Sequence, residues 1–384
     1  MIYLAGLTRA TWSIWSCLTA KAFDVVSHPI LLEKLSLLGV DASLISWVEV
    51  FLTRRTMSVS IKGKVSCPHA VGSGVPQGSV LGPILFLIFV NHIAATLLCE
   101  YKIFADDLKM YLKLSHTDHA CYQTNTHRAQ QDIDSLLRIA SSWGLRVNES
   151  KCAIMRFKRR FHDFPAPEYV IASSPIPYVS SHTDLGVLVD SDLKFHCHIS
   201  RTSKRSAALA LNVLKSTACR SPEFMMPIFS THIRPIMEYC SCLWNTGYIG
   251  DVRALESVQR LWTKQVSGLR DMDYGTRLKE LNQYSVFGRL LRADLIYYWK
   301  LFHGKCALTP SDLFTTSCYQ GTRGHRFKVN VPRSVTDIRR RSFAVRSIVA
   351  WNQLPDDVVA TANLTLFKQK LANTLGDSLF AYYQ

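Results

Sequence analysis

Two adjacent carboxylates, Asp106 and Asp107, break an otherwise apolar and alternating stretch. Tyr101-Lys102-Ile103-Phe104-Ala105 runs up to them and Leu108-Lys109-Met110-Tyr111-Leu112 resumes after them. Period-two alternation on both sides of a short break reads as strand, tight turn, strand, so the spacing predicts a hairpin with the acid pair at its tip. Such a tip can hold Mg²⁺, a hard cation that takes oxygen ligands and shares them with substrate phosphates. A pair of such ions clamps the attacking and leaving oxygens in nucleotidyl transfer. A solvated hairpin tip would look the same in isolation, and the neighbouring sequence has to separate the two readings.

Upstream stands Gly74-Val75-Pro76-Gln77-Gly78-Ser79-Val80-Leu81-Gly82-Pro83, a loop punctuated by glycine and proline that opens into a long apolar run. With this loop and the hairpin the chain resembles the reverse transcriptases of non-LTR retrotransposons, most closely the jockey-like group. Their palm domains carry a V-P-Q-G-S-x-L-G-P loop followed by an F/Y-A-D-D hairpin. Viral RNA-dependent RNA polymerases usually show Gly-Asp-Asp at the hairpin and no V-P-Q-G. The resemblance makes Asp106 and Asp107 the metal carboxylates, Mg²⁺ the cofactor, and RNA template, DNA primer and deoxynucleoside triphosphates the partners.

Other family motifs follow the same order. Lys21-Ala22-Phe23-Asp24-Val25-Val26-Ser27-His28 matches the tail of the first palm motif, whose leading Asp is a metal ligand. That position here is Leu18, which has no oxygen. Asp24 cannot substitute, because six residues of extended strand span about 20 Å; in the family this second Asp looks structural. Phe23 matches the steric gate that leaves no room for a 2′-hydroxyl. Gln77 and Gly78 are implied to shape the nucleotide and template pocket, glycine allowing close backbone approach. After Asn91 the family usually has Asp, where this chain has His92. Trp143-Gly144-Leu145-Arg146-Val147-Asn148-Glu149-Ser150-Lys151-Cys152 matches W-x-x-x-x-N-x-x-K-C, and Lys151 is a candidate to neutralise or protonate the departing pyrophosphate. Arg156, Lys158, Arg159 and Arg160, interleaved with Phe157 and Phe161, suit phosphate contact with stacking. Thr183-Asp184-Leu185-Gly186-Val187 matches the L-G-V hairpin that grips the primer strand. Ile233 to Cys240 and Leu255 to Arg260 match the thumb side of jockey-like elements, and Ala350-Trp351-Asn352-Gln353-Leu354-Pro355 matches a W-N-x-L-P ending.

The periodicity predicts helices after Pro29, from Asp41 through Phe51, over the apolar run from Val80, over Thr126–Ser142, and over most of residues 199–305. The expected fold is α+β: a right-hand palm with an antiparallel sheet and flanking helices, then an all-helical thumb and a C-terminal region. Expected boundaries are a leader unmatched to the family at 1–20, palm at 21–195, thumb at 196–305 and a basic region at 306–384. Residues 1–20 are expected to come from a mispredicted exon or frameshift. An endonuclease, the fingers and the start of the palm are expected ahead of Lys21 in a complete relative.

Composition agrees. With 45 basic against 29 acidic residues the chain carries +16, which favours a polyanionic partner. Eleven cysteines without a C-x-x-C pair read as reduced thiols, so the protein is expected in nucleus or cytoplasm and not secreted. Val80–Leu98 is apolar, but Gly82, Pro83, Asn91 and His92 make it a poor lipid-facing span, so a buried helix and no membrane are expected. Two functions stay open: an RNA-directed DNA polymerase using two metals, or a catalytically silent remnant that at most binds nucleic acid. Leu18 points to inactivity of the chain as written.

Overall fold

The computed structural model describes residues 11–19, 22–114, 118–157, 165–315 and 324–382. They divide into two compact units that part between Ser180 and Ser181.

The first unit is built on a four-stranded antiparallel sheet in the order β6-β7-β1-β8. Its strands are β1 (Thr11–Thr19), β6 (Glu100–Phe104), β7 (Asp107–Leu114) and β8 (Val147–Phe157). Leu108, Met110 and Leu112 of β7 turn one face of the sheet onto a core that includes Phe86, Phe89, Ile133 and Leu136. Alternation sends Asp107, Lys109 and Tyr111 to the opposite face. The covering helices are α1 (His28–Leu37), α2 (Ala42–Leu52), α3 (Leu81–Val90) and α4 (His119–Ser142). Asp41 caps α2, its carboxylate accepting the Ser43 N–H at 2.9 Å. Asn91 closes α3 as the sequence predicts. Helix α3 buries only one face, however: Phe86 and Phe89 are inside, while Ile84 and Leu87 are about half exposed. Short strands β2 to β5, between Arg55 and Val71, form two small ladders.

Lys34 on α1 is buried against the Trp143 ring, with Nζ 3.0 Å from its centroid, and donates to the Phe89 carbonyl. Trp143 of the W-x-x-x-x-N motif is thus one side of a cation–π clamp that ties α1 to the end of α4.

The second unit begins with a hairpin, β11 (Ser181–Asp184) and β12 (Val187–Asp190), and continues as helices. The longest are α5 (His196–Ser216), α9 (Ile249–Thr263), α11 (Val286–Phe302) and α17 (Leu364–Leu375). The helical and C-terminal stretches share one core: Leu295, Tyr298 and Trp299 of α11 pack with Phe343, Ile348, Trp351, Phe367 and Leu371. The compact unit opens at Ser181, and one core runs through both the helical stretch and the C-terminal region.

Buried polar pairs lock this unit. Arg346 holds Asp294 through two bonds of 2.7 and 2.8 Å, with Asp294 only 1% exposed. Glu256 accepts the Val286 N–H at the start of α11 and the Tyr274 hydroxyl. The W-N-x-L-P ending is structural as well. Trp351 is fully buried and donates to the Phe327 carbonyl at 2.8 Å, and the Asn352 amide pairs both ways with the Val329 backbone. No helix among the described residues is long and apolar enough to cross a membrane.

Candidate active site

The acid pair closes the β6–β7 hairpin. Phe104 pairs with Asp107 across the ladder, leaving Ala105 and Asp106 as the two turn residues. Ala105 takes φ +51°, a left-handed conformation that costs an L-residue about 1 kcal/mol. Asp106 lines a cleft at the tip together with Ile93, Ile103, Leu108, Leu136 and Val147. Asp107 opens β7 and faces two neighbours in register, Phe104 on β6 and Leu18 on β1. The strand holding Leu18 is central in the sheet, so residues 11–19 belong to the fold and are not a foreign leader.

The V-P-Q-G loop is stitched to the segment after β1. The N–H groups of Gly74 and Val75 donate to the carbonyls of Val26 and Phe23, both at 2.9 Å. Ser73 Oγ donates to the Asp24 carbonyl, and Gln77 Nε2 to Asp24 Oδ1 at 2.8 Å. His28 Nε2 and Arg55 both bond the Gly74 carbonyl. Asp24 lies in a turn, not on the extended strand that the sequence argument assumed, and its carboxylate is engaged by Gln77. Gly74 has φ +81°, and a Cβ there would meet the Asp24 carbonyl oxygen at 2.7 Å. Gly78 also has a positive φ, but the space a Cβ would enter is open. The Phe23 ring is half-buried and stacks on Phe86 with centroids 4.0 Å apart.

Lys151 sits within β8, where the ladder is irregular. Leu18 pairs with Asn148 and Ser16 with Ala153, so β8 advances five residues while β1 advances two. Lys151 lies in this bulge and is exposed. Bulges of this kind re-aim side chains at sheet edges and active sites.

One expectation is corrected by the strand's alternation. Arg156 shares a face with Cys152 and Ile154, both in the core, and is only 6% exposed. It lies beside Tyr178, whose hydroxyl burial pushes up to about 12 and Arg156 partly draws down. A guanidinium so enclosed does not reach a phosphate backbone. Lys158, Arg159 and Arg160 fall outside the described residues.

Asp132 escaped sequence reasoning. It is 2% exposed on α4 and accepts the N–H groups of Leu98 and Cys99 at 2.7 to 3.0 Å, fixing the chain as it enters β6. The signal was there: Ala129, Ile133, Leu136 and Ala140 make a buried stripe, and Asp132 is the acid on it.

In the second unit, Leu185 and Gly186 both have positive φ, as a two-residue type I′ hairpin turn requires. The Tyr239 hydroxyl donates to the Leu185 carbonyl at 3.1 Å, and Arg201 reaches the Gly186 carbonyl and Thr183 Oγ1. His196 and His198 are committed elsewhere. His196 pairs with Asp251 at 2.7 Å, and His198 Nδ1 accepts the Leu188 N–H, its burial drawing the imidazole down to about 4.

Residues 8–187 match the family model for reverse transcriptase (RNA-dependent DNA polymerase). The match begins ahead of Lys21, where the motif first becomes legible, and takes in all of β1. The RNA-directed DNA polymerase from mobile element jockey of Drosophila melanogaster is 32% identical over 264 residues, 65% of this chain and 27% of that protein. Its counterpart from Drosophila funebris is 28% identical over 259 residues, again 65% and 27%. The chain thus spans about a quarter of the length of these relatives. A structure of telomerase from Candida tropicalis in complex with a fragment of telomeric RNA aligns over 76% of this chain and 44% of that one, at 11% identity and a TM-score of 0.38. Residues 8–187 thus match a reverse transcriptase domain, in a chain similar to the RNA-directed DNA polymerases of jockey and other non-LTR retrotransposons.

Proposed function

We propose that this chain carries the palm and helical thumb of a polymerase that copies RNA into DNA, and that as it stands it binds template and primer without extending them. The observation that carries this reading is the register of Leu18 with Asp107. The hairpin offers two carboxylates, and among the described residues no group of three His, Cys, Asp or Glu side chains could hold a metal. Two carboxylates fit one Mg²⁺ shared with the oxygens of a nucleotide triphosphate, since that ion is bound through one or two carboxylates plus substrate phosphates. Asp106 and Asp107 would hold it, and when bound it would neutralise phosphate charge. A second ion needs a bridging carboxylate that position 18 does not supply.

The remaining roles belong to the chain's own residues. Phe23 bars a 2′-hydroxyl with the ring that Phe86 backs. Gly78 lets backbone approach the base pair, while Asp24 holds the Gln77 amide in one orientation. Lys151, exposed in the β8 bulge, gives a proton or charge to the departing pyrophosphate. Helix α5 carries Arg201, Lys204, Arg205 and Lys215 on its exposed side and no acidic residue, which suits sequence-independent contact with duplex phosphates beside the Gly186 turn. The expected compartment is nucleus or cytoplasm. A second reading, a remnant kept only to bind nucleic acid, is favoured by the same Leu18.

Primer extension on an RNA template with deoxynucleotides and Mg²⁺ tests the proposal. The 384-residue chain should shift the template–primer in a gel and yield no product. Clear extension that disappears on Asp106→Ala would overturn it.

A further inference from the structure

We infer that residues 326–341 form a second nucleic-acid contact, a phosphate-binding surface on the helical unit that is separate in sequence from every motif of the polymerase site. The stretch from Gly324 to Arg341 holds Arg326, Lys328, Arg333, Arg339, Arg340 and Arg341 against a single acid, Asp337. That acid is already used. It accepts Arg341 Nε at 2.8 Å and the Tyr248 hydroxyl at 2.9 Å. Arg341 further lies 4.0 Å over the Tyr248 ring and donates to the Thr246 carbonyl, so it anchors the segment instead of facing a ligand. Lys328 and Arg339 are only partly exposed and have partners of their own.

Arg326, Arg333 and Arg340 remain. All three are exposed, and none forms an ion pair among the described residues. The backbone that carries them is pinned at both ends. His325 bonds the Trp351 carbonyl, Trp351 bonds that of Phe327, and Asn352 brackets Val329, while Arg341 fixes the far end. Arg326 also lies 4.7 Å over the Phe327 ring, which leaves its charge without a counter-ion. A backbone fixed in advance spares part of the ordering cost when these three guanidinium groups meet a polyanion. Between the anchors Val331 and Val335 are exposed, at 59% and 88%, and no exposed aromatic ring is present to stack a base. The chemistry therefore fits the sugar–phosphate backbone of an RNA strand, held without sequence preference. An anionic membrane suits it less: the only helix in the stretch, Asp337–Arg341, has five residues, too short for an amphipathic face.

The test compares the full chain with Arg326→Gln/Arg333→Gln/Arg340→Gln for binding a labelled single-stranded RNA at several salt concentrations. The triple variant should bind about tenfold more weakly near physiological salt, and its log–log salt slope should fall by about 2, at about 0.7 per lost phosphate contact. An unchanged affinity and slope overturns the inference. So does a variant that loses binding to phosphatidylserine vesicles yet keeps RNA affinity. Should the triple variant melt early, Arg333→Gln and Arg340→Gln are measured singly, each expected to lower the slope by about 0.7. The polymerase reading fails separately, through primer extension, and leaves this result untouched.

Discussion

Leu18 on β1 and Asp107 on β7 are directly paired residues of one antiparallel ladder. Positions so paired lie about 5 Å apart, within reach of a shared cation. Leu18→Asp is therefore expected to tighten Mn²⁺ binding at least tenfold, measured by the loss of free-ion signal in electron paramagnetic resonance. Adding Asp106→Ala should return the affinity to that of the unaltered chain. If Leu18→Asp leaves Mn²⁺ binding unchanged, position 18 does not belong to the metal site.

Gly74 and Gly78 share a positive φ but differ in surroundings. Gly78→Ala should cost about 1 kcal/mol, the backbone term alone. Gly74→Ala should cost clearly more, because its Cβ would overlap the Asp24 carbonyl and push apart the segment joined to the loop. Thermal melts of the two variants decide this. Equal midpoints would mean that the contact between loop and turn is slack.

Burial draws the Lys34 ammonium down to about 8, from an ordinary value of 10.5. Between these pH values the unfolded chain holds a proton that the folded chain has released. Stability from this group accordingly rises as pH climbs from about 8 toward 10.5. Chemical denaturation at pH 7.5 and pH 10 should show a smaller gain for Lys34→Met than for the unaltered chain. An identical gain in both would leave Lys34 without a role in the pH dependence.

Asp294 and Arg346 bond each other inside the helical unit. Removing one partner strands a buried charge, so Arg346→Met should cost about 3–5 kcal/mol. The double change Asp294→Asn/Arg346→Met should cost less than Arg346→Met alone. A double variant as unstable as the sum of the two singles would show that the residues act independently.

Short-range pattern was enough for part of this protein. The hairpin with its acid tip follows from alternation on either side of Asp106-Asp107, and the cap at Asp41 follows from local hydrogen-bonding chemistry. The Leu185-Gly186 turn belongs to the same class, since two-residue hairpins demand positive φ. These features depend on residues a few positions apart, and the chain states them directly. Leu18, read as the substitute for a metal ligand, rested on motif spacing alone.

Tertiary structure decided what no local pattern carries. A strand reads the same whether it lies at an edge or in the centre of a sheet, so residues 11–19 looked like a leader until pairing placed β1 between β7 and β8. Arg156 stood in a basic run that suggested phosphate contact, but in a strand the side facing the core is settled by which neighbour covers it. Helix α4 covers that face, and Tyr122 and Tyr178 lie beside the guanidinium. The single core joining α11 to residues 343–371 was equally invisible, because it depends on contacts between positions tens of residues apart. Composition established an excess of cations; only the packing of Asp337, Tyr248 and Trp351 determined which arginines stay exposed and outside an ion pair.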